Sequence, residues 1–158
     1  MASGMKITGL QAVQRALNAE IKKLRTSHYA LVGIHESAGM VEDGSMTTAT
    51  LGAIQHFGND NIPERPWLDR GAESGAREYL DTIREGIKDG LTSRQIMAQV
   101  GVEAEGAIKQ YITDLNSPPN APSTIKRKGS SSPLIDTGNL RASITSVVVR
   151  KKSREGLE

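Results

Sequence analysis

Three histidines are the first residues to test for chemistry: His28, His35 and His56. Imidazoles bind a metal when they stand at a fixed short spacing with carboxylate or imidazole partners, as in HxH or HExxH. No such spacing occurs here; only His35 has a neighbouring carboxylate, Glu36. These histidines read as polar residues at the ends of elements. A serine nucleophile needs a rigid platform and a base within reach. There is no Gly-x-Ser-x-Gly elbow, and five serines crowd into the polar run 117–132. With no cysteine there is no thiolate chemistry and no disulfide framework. No glycine-rich phosphate loop is present either. The expectation is a protein that is not an enzyme and uses no cofactor and no metal.

Charge offers more. Residues 121–158 carry eight Lys and Arg against three Asp and Glu, while the rest of the chain is mildly acidic. Lys126, Arg127 and Lys128 form one basic run, and Arg150, Lys151 and Lys152 another. Either can meet phosphates or an acidic partner. Single-strand readers interleave aromatic platforms with the cations, and neither run has an aromatic nearby. This leaves non-specific DNA contact, and a DNA-binding accessory protein is the alternative function. Glu36, Glu42 and Asp43, in a polar glycine-containing stretch, are the acidic counterpart. Trp67 is the lone tryptophan. It suits a core anchor, and also a contact hot spot of the aromatic kind. These ten residues are the candidate partner interface.

The elements that must position them follow from periodicity. Thr8 and Gln11 fit a capping box, and Leu10, Val13, Leu17, Ile21 and Leu24 make the stripe of a helix over 8–26. The short apolar run 29–34 predicts a strand, and 36–46 a flexible loop. A short helix over 47–57 ends at Gly58, and the prolines make 59–66 irregular. One helix is predicted over 66–90, weakened by Gly71, Gly75 and Gly86, which would let another backbone come close. Thr92 and Gln95 cap a second over 92–116. The short turn between them makes the pair an antiparallel hairpin. Residues 117–132 read as flexible, and 140–150 as a closing strand with Leu140, Ala142, Ile144, Ser146 and Val148 inward. The terminal segments 1–6 and 151–158 also read as flexible. The whole is expected to be a single domain, 1–158. Its fold should be α+β, with a helical hairpin and an N-terminal helix packed on a small, mainly antiparallel sheet. A further strand could come from the middle loops. No apolar run nears the ~20 residues of a membrane helix. Hydrophobic residues are 37% and aromatics 3%, so the core is thin and suits a subunit completed by neighbours.

Three segments carry a resemblance. They are Leu51-Gly52-Ala53-Ile54-Gln55-His56-Phe57-Gly58, Ile62-Pro63-Glu64-Arg65-Pro66-Trp67-Leu68, and Pro133-Leu134-Ile135-Asp136-Thr137-Gly138-Asn139-Leu140-Arg141-Ala142-Ser143-Ile144. In order and spacing the chain resembles the neck and tail-completion proteins of tailed bacteriophages, the virion morphogenesis or minor tail group. Two departures are visible. His56 directly precedes Phe57, where the pattern sets one residue between, and Trp67 stands where it has Phe. The resemblance implies a virion protein of the head–tail joint or tail end. Such a protein is assembled in the host cytoplasm as a ring of identical subunits. Its partners would be other neck and tail proteins, with DNA passing through the channel. It implies no catalysis. Segments 36–46 and 117–132 would then order on assembly.

Overall fold

The computed structural model describes residues 10–25 and 28–150. The fold is α+β. In chain order it runs α1 (Leu10–Arg25), β1 (His28–Ile34), a one-turn 3₁₀ helix (Glu36–Ala38), α2 (Thr48–Phe57), α3 (Trp67–Ser74), α4 (Ala76–Lys88), α5 (Ser93–Asp114), α6 (Pro122–Lys128), α7 (Asn139–Ala142) and β2 (Ile144–Arg150).

Helix α5 is the spine. Its start is fixed by the predicted capping box: Thr92 accepts from the Gln95 backbone, and the Gln95 side chain accepts from Thr92. Ile96, Ala104, Ile108 and Ile112 repeat at helical spacing and are all buried. Helix α3 crosses it at Gly71, where a Cβ would stand 2.8 Å from the Ile108 Cα. Helix α4 meets it at Gly86, where a Cβ would stand 2.7 Å from Ile96. Only glycine permits approaches this close.

The expected single helix over 66–90 is two helices. Gly75 (φ −97°, ψ 8°) ends α3 and caps α4, and the ring of Tyr79 lies where its side chain would be. The expected strand over 140–150 is also divided. Asn139–Ala142 is a helical turn, and the strand starts at Ile144. Leu140 is therefore buried from a helix, and Ala142 is exposed. Gly138, at φ 86°, redirects the chain into that turn.

Strands β1 and β2 pair antiparallel, Ile34 opposite Ile144 and His28 opposite Arg150. No third strand joins this sheet among the described residues. The middle loops contribute only the isolated bridges Met40–Thr47 and Asn59–Ile62. The inner face lies on α5. Ser146 Oγ would be 2.8 Å from a Cβ at Gly101, with Ala30 beside it. The outer face carries Tyr29, Leu31 and Val147, each more than two-fifths exposed. Leu17 and Ile21 of α1 are exposed as well, at 57% and 44%, so this part of the predicted stripe is not buried. The Thr8 cap and segments 1–6 and 151–158 lie outside the described residues.

One carboxylate ties the sheet to the spine. Glu105 Oε1 accepts the Ser146 N–H at 2.6 Å, and Glu105 Oε2 lies 3.4 Å from Lys109 Nζ. Burial pushes the Glu105 carboxyl up. The hydrogen bonds from Ser146 and the contact with Lys109 outweigh it and hold the group below its ordinary value. A carboxyl whose pKa falls on folding stabilises the fold above its unfolded pKa. That contribution fades as pH drops through the folded one. Wild type should therefore lose stability below about pH 4.5 more steeply than Glu105→Gln. At neutral pH, Glu105→Gln should be weaker by about 1–2 kcal/mol. Urea titrations of both proteins from pH 7 to 3 check this; parallel curves would refute it.

Candidate assembly surface

The segment 51–58 forms the second half of α2. Thr47 caps that helix, and Gly58 (φ 72°) ends it by donating to Ile54 O. The next segment returns at once, with Arg65 N–H bonded to the Gln55 and His56 carbonyls. Trp67 then enters the core, 3% exposed, and donates its indole N–H to Gly52 O at 3.1 Å. A side chain at Gly52 would meet Ile34 at 2.7 Å, with Trp67 and Leu140 both at 3.3 Å. Leu134, Leu140 and Ile144 of the third segment complete the cluster around Trp67, Ile108 and Ile112. All three segments are thus one packed unit. Trp67 is a core residue, and its ring is not on the surface as a contact hot spot would be.

The histidines have local work. His56 is buried, edge-on to the Phe57 and Trp67 rings. Its Nδ1 accepts from Leu68 N–H at 3.4 Å, and its Nε2 lies 3.4 Å from Asp69. His35 bonds Ser37 and His28 bonds Ser93. Among the described residues no three His, Asp or Glu side chains converge as a metal site would need.

Arg65 is the unexpected member. It is 3% exposed. Its guanidinium donates to Pro118 O (2.9 Å), Pro119 O (3.2 Å) and Gln55 Oε1 (3.1 Å). Burial alone lowers its pKa. It straps 117–119 onto α2. The segment 117–132, expected to be flexible, contains α6, with Pro122 in its first turn and Gly129 (φ 68°) as its left-handed stop. Asn120 and Lys128 both donate to Ser132 O. The segment 36–46 is folded too: Met40 bridges Thr47, and Gly44 N–H bonds Val41 O.

These two segments face each other. Between them lies a cleft of about 390 Å³ whose lining includes Glu42, Asp43, Arg127, Lys128 and Asp136. Four of the predicted interface residues therefore meet on one surface. Ser45 hydrogen bonds hold Asp43 below its ordinary value. Burial holds the Lys128 ammonium below its own, with Asp136 opposing and Arg65 and Arg127 adding to the effect. The cleft pairs mixed charges at its rim with buried Leu134 and Leu140. Lys126 is exposed on α6 outside that lining. Glu36 opens the 3₁₀ turn. Arg150 ends β2 and is not part of the cleft lining, and Lys151 and Lys152 lie outside the described residues.

No family model, curated protein or solved structure matches this chain.

Residue reasoning had missed Arg65, whose buried guanidinium no periodicity announces. It had also missed the exposed apolar side chains Tyr29, Leu31 and Val147 on the sheet, and Leu80 and Ile87 on α4. Leu80 and Ile87 lie on one helical stripe, and helical spacing alone does not say whether a stripe faces inward.

Proposed function

We propose that the chain is a structural subunit of a tailed-phage virion. It would sit at the head–tail joint or the tail end and act by ring assembly and protein–protein contact. The observation that carries this reading is the interlocking of the three resembling segments around Trp67, Gly52 and Leu140. Their shared spacing has a structural reason: each supplies one side of the same core. Further support comes from the surface. An apolar outer sheet face, an apolar stripe on α4 and a mixed-charge cleft are contact surfaces. Ring subunits need two different patches that meet head to tail.

The test is localisation. Mature particles imaged at the density level should show the subunit as a closed ring at the joint or tail end. Particles complete without it would refute the reading. A purified chain that binds duplex DNA with affinity falling steeply as salt rises, and that never joins particles, would favour the DNA-binding alternative.

A further inference from the structure

A second groove lies on the far side of the spine, between the start of α4 and the C-terminal half of α5. It encloses about 550 Å³. Its charged lining is wholly acidic, Glu78, Glu103 and Asp114, set among the rings of Tyr79 and Tyr111. Two enclosed atoms there, Tyr79 Oη and Glu103 Oε2, have no hydrogen-bond partner among the described residues. Burial and the nearby Glu103 and Glu78 charges raise the Tyr79 pKa, so the phenol stays protonated. Carboxylates beside aromatic faces, with unpaired oxygens, are the chemistry that receives an ammonium or guanidinium group.

The chain has one concentrated source of such groups, Arg150-Lys151-Lys152-Ser153-Arg154. We infer that the α4–α5 groove receives this basic segment from a second copy of the chain. The inference rests on the ring reading above and names one of its contacts. Charge complementarity chooses the occupant, and reach chooses the copy. Arg150 pairs with His28, whose ring bonds Ser93 at the first turn of α5. The groove begins ten residues further along α5, about 15 Å away at 1.5 Å per residue, and extends about 31 Å to Asp114. It also opens on the other side of that helix. Gly101 and Glu105 face the sheet, whereas Glu103, Ala107, Gln110 and Asp114 line the groove. The four residues from Arg150 to Arg154 span at most about 14 Å. Even with the length of a side chain added, a chain's own segment falls short of Asp114 at the far end of its groove, while a neighbour's can lie along the whole of it. Segment-into-groove contact is heterologous and passes from copy to copy, as a ring requires.

The absence of cysteine gives a clean test. Full-length Asp114→Cys and full-length Lys152→Cys are mixed and mildly oxidised. A disulfide-linked pair of one of each is expected, suppressed in high salt. In a chain carrying both substitutions the bond should again join different molecules. As a second measurement, a synthetic peptide of residues 147–154 should bind the intact protein. Its dissociation constant should rise at least tenfold with Glu78→Lys plus Asp114→Lys. Circular dichroism shows whether that variant is folded. No mixed pair, a bond formed only within one chain, or peptide binding indifferent to the charge reversal would overturn the inference. A missing mixed pair from a protein that still localises to a ring condemns this contact alone. A mixed pair from a protein absent from particles condemns the virion reading alone.

Discussion

Trp67→Ala is expected to remove about 3–5 kcal/mol of folding stability. A domain of this size holds only about 5–15 kcal/mol, so much of the protein would unfold near physiological temperature. The reason is position. The indole is 3% exposed, lies against His56 and Gly52, and shares one buried cluster with Ile108, Ile112, Leu134, Leu140 and Ile144. All three segments that carry the resemblance touch that ring or its immediate neighbours, so a cavity there loosens all three. Trp67→Phe separates the contributions. It keeps most of the ring volume but leaves Gly52 O without its donor, at a cost of about 1–2 kcal/mol. Far-UV circular dichroism during urea unfolding measures both, since the substitution removes the only tryptophan. A loss below 1 kcal/mol for the alanine variant would mean that Trp67 is not the centre of the core.

How much of this was legible beforehand differs by element. Helix α5 was legible because its capping box and its isoleucine spacing agree, and local and tertiary signals point the same way. The break at Gly75 was not. A glycine in a helical pattern costs roughly 1 kcal/mol wherever it falls; the ring of Tyr79 occupies the space above it only in three dimensions. The strand start was misjudged because Leu140 and Ile144 share the parity of a strand, while Gly138 turns the chain into a helical turn first. Residues 117–132 have a linker's composition. Their order comes from elsewhere, from a guanidinium more than fifty residues earlier. Long-range hydrogen bonds of this kind leave no periodic trace. For the surface, charge runs located Glu42, Asp43, Arg127 and Lys128, but their convergence on one cleft needed the fold. The acidic groove was invisible because Glu78, Glu103 and Asp114 come from two helices.

That dependence on Arg65 has a measurable consequence. Arg65→Met keeps the apolar stem but deprives Pro118 O, Pro119 O and Gln55 Oε1 of their donors. Lysine would not substitute, because one ammonium cannot reproduce the planar fork. Releasing the strap should lower the local opening free energy of 117–132 by about 2 kcal/mol, a few tenths to a few kcal/mol being lost per orphaned acceptor. Trypsin reads this directly, because α6 ends in Lys126, Arg127 and Lys128. When opening is fast, cleavage tracks the open population, and about 2 kcal/mol corresponds to about a thirtyfold faster cut. Mass spectrometry of timed digests should show cleavage at 126–128 first in Arg65→Met and Arg65→Lys, and late in wild type. The same release should open the cleft, since Arg127 and Lys128 form its wall opposite Glu42 and Asp43. Equal cutting rates at these sites would mean that the strap stays ordered without Arg65. The cleft would then owe its shape to the packing of Leu134 and Leu140 instead of to the buried guanidinium.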